Sequence, residues 1–118
     1  MRKFEIKMDT IDFADWEKLD IKVGKILKAE EIEGADKLLK LSVDTGDGKG
    51  KERTLVAGIK QHYNIDELVG KKIIVLCNLA SRKMKGVESQ GMLLAAVDGD
   101  EVVLLGPEKD IKQGSKVS

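Results

Sequence analysis

The residues best equipped for chemistry lie in one run, Asn78-Leu79-Ala80-Ser81-Arg82-Lys83-Met84-Lys85-Gly86-Val87-Glu88-Ser89-Gln90. Arg82, Lys83 and Lys85 crowd together in it, and nothing in an apolar core calls for three such cations. The run has no His, no Cys and one carboxylate, Glu88, so it offers neither a nucleophile–base pair nor a metal-ligand set. Cations beside small hydrogen-bonding residues suit a phosphate–sugar backbone, with a solvated basic loop as the plain alternative. Asn78, Ser89 and Gln90 can hydrogen-bond a sugar, a base edge or their own loop. Met84 can pack on a base, in a core or in an interface. Lys25, Arg53 and Lys60, on or beside strands elsewhere, are further candidate contacts.

Composition narrows the function classes. The 118 residues make one domain, read as a leader or linker over 1–11 and a folded unit over 12–118. Cations and anions balance at 21 each, so any nucleic-acid binding has to come from a local patch rather than bulk charge. Aromatics are 3% of the chain, which leaves an aliphatic core and little platform for stacking bases along a single strand. Cys77 has no partner for an internal disulfide and reads as a small buried hydrophobe. His62 stands without a second His or a Cys, so no zinc set forms, and it reads as a surface residue. Asp20, Asp36 and Asp44 read as caps and turn residues rather than a metal cluster. No phosphate-cradling P-loop is present, and neither an enzyme nor a cofactor is expected. No run of 18 apolar residues and no signal-peptide core exists, so no membrane partner is expected and the expected compartment is the cytoplasm.

The elements that must position the basic run follow from periodicity. Phe4, Ile6 and Met8 alternate with charges. Asp12 is placed to cap a short helix ending near Leu19, with Ile11 and Trp16 as a hydrophobic staple. A long first strand starts at Ile21 and breaks phase at Gly24, where a bulge or bend is expected. Leu39, Leu41 and Val43 alternate with polar residues in a second strand. The glycine-rich turn from Asp44 to Gly50 leads to a third strand, Arg53–Ala57. Asn64, with Glu67 in the capping-box place and Gly70 as the stop, frames a second short helix. Lys72–Cys77 and Met92–Val97 read as central strands joined by the basic loop. Asp98-Gly99-Asp100 turns into a last strand, Glu101–Leu105, and a polar tail follows Pro107. A helix between the third and fourth strands is the layout of the OB-fold, a five-stranded Greek-key barrel, so the expected class is all-β with extra N- and C-terminal elements. Fold alone does not give function.

In order, the blocks Asp20-Ile21-Lys22-Val23-Gly24-Lys25-Ile26, Ala35-Asp36-Lys37-Leu38, Val43-Asp44-Thr45-Gly46, Val56-Ala57-Gly58-Ile59, Asn78-Leu79 and Lys83-Met84-x-Gly86-x-x-Ser89-x-Gly91-Met92 cover about residues 12–106. Together they resemble the tRNA-binding domain found at the C-terminus of many methionyl-tRNA synthetases, in a stand-alone tRNA-binding protein and in the endothelial monocyte-activating polypeptide. The chain departs from that pattern at Ile32-Glu33, where the family often has His-Pro, and at Ser81, where a proline is common. A secretion-chaperone branch of the superfamily lacks the Lys-Met-x-Gly-x-x-Ser-x-Gly-Met run.

The resemblance implies a non-catalytic module that binds tRNA by backbone and shape. Its partner would be the methionyl-tRNA synthetase catalytic domain or subunit, and a homodimer is expected. The interface would draw on residues after Leu93 and on the N-terminal leader. The candidate tRNA contacts are Lys25, Arg53, Lys60, Asn78, Arg82, Lys83, Met84, Lys85, Ser89 and Gln90. The competing class is a dimeric protein-interaction or chaperone-like OB module without an RNA function.

Overall fold

Alternation in the strands builds the barrel. In β2 (Leu39–Asp44), Leu39, Leu41 and Val43 are buried while Lys40, Ser42 and Asp44 are half-buried. In β4 (Lys72–Leu76), Ile73 and Val75 are buried between less covered neighbours. With Ile26, Leu55, Ile59 and Leu68 they form one aliphatic core, as the scarcity of aromatics requires. The structure, a computed structural model, describes residues 9–118. The expected alternation at Phe4, Ile6 and Met8 lies outside them.

Five strands form the main sheet in the order β3-β2-β1-β4-β7, all neighbours antiparallel. These are β1 (Ile21–Glu31), β2, β3 (Arg53–Ala57), β4 and β7 (Met92–Leu93). The free edges of β3 and β7 are brought together just before β7. There the Gln90 N–H donates to the Thr54 carbonyl at 2.8 Å, and the Thr54 N–H donates to Gln90 Oε1 at 2.9 Å. The result is a nearly closed five-stranded barrel with α2 (Ile65–Leu68) between β3 and β4, the OB arrangement expected. The Asn64 N–H donates to Glu67 Oε1 at 2.8 Å at the start of α2, and Gly70 follows it at φ 90°. α1 (Phe13–Glu17) starts after Asp12 as expected, but the Asp12 carboxylate makes no cap bond. Ile11 stays 61% exposed, so a staple with Trp16 buries little.

Four expectations need correction. First, β1 hands over from β4 to β2 at Lys25, but its register shift lies between Ile26 and Lys28, not at Gly24. Gly24 instead answers to packing, since a Cβ there would sit 2.6 Å from Val43 Cγ1 and 3.1 Å from Val75 Cγ2. Second, the basic loop is itself a hairpin of β5 (Arg82–Met84) and β6 (Val87–Ser89). Third, Met92–Val97 is not one central strand. It divides into β7, paired with β4, and β8 (Ala95–Asp98), which pairs with β9 (Glu101–Leu104) in a separate hairpin. Fourth, the polar tail is part of the barrel. Gly114 and Val117 N–H groups donate to Val23 and Ile21 carbonyls, and the Val23 N–H donates to the Ser115 carbonyl, so the tail covers the edge of β1.

Candidate nucleic-acid interface

The hairpin geometry follows from its turn. Lys85 and Gly86 form the two-residue loop, at φ 50° and 80°. Positive φ at both positions is the type I′ pattern, whose twist matches that of the flanking strands. The pairs Met84↔Val87, Lys83↔Glu88 and Arg82↔Ser89 then fix which side chains share a face. Met84 and Val87 face down onto Ile32, Ala35, Leu38 and Val56, a second small core outside the barrel. That packing holds the hairpin over the outer side of β3.

The polar residues of the run anchor this arrangement. Ser89 is 3% exposed; its Oγ accepts from the Val56 N–H at 3.0 Å and donates to the Gly91 carbonyl at 2.9 Å. A Cβ on Gly91, at φ 132°, would lie 2.7 Å from the Leu76 carbonyl oxygen, so this close crossing requires glycine. Gln90 is committed to Thr54 through its side chain and main chain. Asn78 Oδ1 accepts from the Asp20 N–H at 2.9 Å and Nδ2 donates to the Lys18 carbonyl at 2.6 Å, tying the end of β4 to the entry of β1.

Arg82, Lys83 and Lys85 are exposed and form no ion pair among the described residues. Glu88 stands directly across from Lys83, yet its Oε2 accepts from Ser81 Oγ at 3.0 Å. Ser81 thus draws the run's one carboxylate into a bond at the base of the hairpin. Lys83 lies on the outer face across from Glu88 and Lys85 at the tip, while Arg82, with the inward parity of Met84 and Ser89, is exposed at the base of the hairpin.

The other candidates sit elsewhere. Arg53 shares the inward parity of Leu55 and plugs one end of the barrel. Its Nε donates to Thr45 Oγ1 at 3.0 Å and Asp47 Oδ2 at 3.2 Å, and Nη1 donates to the Cys77 and Gln90 carbonyls. The Asp47 carboxyl is held below the usual range, first by the hydrogen bond from Thr45 and then by the charges of Lys22 and Arg53. Cys77 is buried as expected, and burial raises its thiol pKa. Lys60 pairs with Glu31 Oε1 at 3.0 Å beside the β1–β2 loop. Lys25 lies apart from the hairpin, where β1 meets the start of β4. Sequence reading missed Lys40 and Thr54, which with Gly86, Glu88 and Gln90 line a groove of about 330 Å³ between the hairpin and the β2–β3 face. The signal was the alternation of β2, which points Lys40 outward between Leu39 and Leu41. His62 is exposed, Asp44 accepts from the Gly46 N–H in a turn, and no metal cluster forms among the described residues. No helix among them is long and apolar enough to cross a membrane.

Known proteins share this geometry. The methionine–tRNA ligase of Methanococcus aeolicus is 55% identical over 111 residues, 94% of this chain. This chain spans only 16% of that ligase, so the rest of the ligase lies outside the match. A solved structure of a MetRS-related protein from Pyrococcus horikoshii superposes with a TM-score of 0.85 at 41% identity, over 94% of this chain and all of that one. A CsaA chaperone protein from Picrophilus torridus superposes with a TM-score of 0.83 at 34% identity, over 92% of this chain and all of that one. The barrel therefore does not separate a synthetase-related protein from a chaperone. The family model described as "Putative tRNA binding domain" matches residues 21–116, and the chain belongs to that family.

Proposed function

We propose that the chain grips tRNA by its phosphate backbone, with Arg82, Lys83 and Lys85 on the β5–β6 hairpin as the principal contacts. The observation that carries this reading is the hairpin with three exposed cations that make no ion pair among the described residues. A-form RNA hides most base edges from side chains, so contacts of this kind read shape and charge rather than sequence. Ser89, Gln90, Asn78 and Arg53 act by holding the hairpin and its base in place, and Met84 by packing it down. Lys60 supports the β1–β2 loop beneath it. Filter binding with unfractionated tRNA tests the reading. Affinity should fall steeply as salt rises, and Lys83→Ala with Lys85→Ala should weaken all tRNAs about equally. Salt-independent binding, or a variant that binds as well as the parent, overturns it.

The module serves a methionyl-tRNA synthetase, appended to its catalytic domain or held as a separate subunit, and acts in the cytoplasm. It raises tRNA affinity and leaves aminoacylation to the catalytic part. It works as a homodimer, which presents two hairpins to one RNA and raises effective concentration without new chemistry. Support comes from the outer face of the β8–β9 hairpin, where Val103 pairs with Ala96 and is 47% exposed, and from Phe13 on α1, 70% exposed.

A further inference from the structure

A second cluster of cations lies where β1 meets the start of β4. Lys25, Lys71, Lys72 and Lys109 line an open cleft of about 650 Å³ closed on its far side by segment 106–110. Lys72 is already committed: its Nζ lies 2.7 Å from Asp110 Oδ1 and also donates to the Ile111 carbonyl. Lys25, Lys71 and Lys109 make no ion pair among the described residues. With the Lys72–Asp110 pair cancelled, three cations face one carboxylate, Glu108, in a chain of zero net charge. The cleft also holds a neutral donor. Tyr63 Oη accepts from the Leu104 N–H at 3.0 Å, which leaves the phenolic proton to give, and the Lys71 ammonium sits 5.9 Å from the Tyr63 ring centroid.

The cleft joins the hairpin along one rim of the barrel. Met84 packs against the cluster of Ile32, Ala35 and Val56, and Lys60 reaches the Ala35 carbonyl while its N–H donates to the Lys37 carbonyl. Lys60 and Tyr63 line one groove, and Tyr63 lines the lysine cleft as well. We propose that this cleft is a second contact site for RNA backbone phosphates, at the far end of an arc that begins at the β5–β6 hairpin. A polymer backbone fits better than a small ligand, because small-molecule sites enclose most of their ligand in largely apolar walls and this cleft is open and charged. Flexible lysines act as point charges that follow a phosphate chain without fixing one orientation.

The inference rests on the tRNA-binding reading, so the test uses two variants side by side. One is Lys25→Gln, Lys71→Gln and Lys109→Gln; the other is Arg82→Gln, Lys83→Gln and Lys85→Gln. Each is titrated with unfractionated tRNA from low to moderate salt, with a thermal melt to confirm folding. The cleft variant should bind more weakly, with a salt slope shallower by roughly 0.7–0.9 for each phosphate it no longer neutralises. If the hairpin variant weakens binding and the cleft variant matches the parent in affinity and slope, the cleft proposal falls and the hairpin reading stands. If neither variant changes binding, both fall. Lys71→Gln alone, at an exposed position, repeats the test should the triple variant unfold. Inorganic tripolyphosphate at matched ionic strength is the control for source. If it shifts the Tyr63 and Lys71 amides while the tRNA slope is unchanged in the cleft variant, the site takes free phosphate and the RNA assignment is overturned.

Discussion

Lys85 shows how one residue serves shape and charge at once. A type I′ turn favours Asn or Gly at its first central position, and a lysine held at φ 50° costs about 1 kcal/mol in steric strain. Lys85→Asn should therefore stabilise the fold by up to about 1 kcal/mol while weakening tRNA binding, read by urea unfolding and filter binding on the same preparation. A variant both less stable and equally tight would remove the account of this turn. Asp47 gives a pH signature. Its folded pKa lies below its unfolded one because Thr45, Lys22 and Arg53 favour the carboxylate. The stability it supplies is thus fully present above the unfolded value, about 3.9, and is lost as pH falls through the lower folded value. Asp47→Asn should cost about 1 kcal/mol at neutral pH and should flatten the drop in stability below pH ~4. An unchanged acid profile would show that the Arg53 plug does not depend on this charge. These residue roles are only partly legible in the sequence. The cations of the hairpin stand out by type, whereas the pairing of Ser81 with Glu88 and of Arg53 with Thr45 depends on contacts that no local pattern encodes.

The elements are legible where a period runs clean. Leu39, Leu41 and Val43 mark β2, the Asn64–Glu67 box marks α2, and the helix between β3 and β4 marks the barrel order. Sequence and structure part where tertiary contact overrides local pattern. Arg82–Ser89 carries too few apolar residues to read as strands, yet Met84 and Val87 suffice once Val56 and Ala35 lie beneath them. Met92–Val97 reads as one apolar run, but the chain changes partner after Leu93. Gly24 has the look of a chain breaker and is a packing requirement instead. Gly24→Ala should destabilise by about 1–3 kcal/mol, because Val43 and Val75 must move for the added methyl, and thermal unfolding measures it. A neutral substitution would mean that β1, β2 and β4 are less tightly apposed than described.

For the whole molecule, the barrel is scaffold and its surface carries the function. A TM-score of 0.83 to a chaperone beside 0.85 to a synthetase-related protein makes the point: closely similar barrels carry differently named proteins. The proposed homodimer is tested on the same surface. Val103 is outside the barrel on the β8–β9 hairpin, so Val103→Glu should leave the fold intact and split a dimer. Sedimentation equilibrium should give twice 13.0 kDa for the parent and 13.0 kDa for the variant. A parent at 13.0 kDa rules out the dimer at that concentration. The central claim, that the β5–β6 hairpin meets the tRNA backbone, is tested most directly by mapping backbone amide shifts of the labelled protein during a tRNA titration. The amides of residues 82–89 should shift or broaden first and most, with the effect reversed by added salt. Binding that perturbs other surfaces and leaves residues 82–89 unmoved would contradict it.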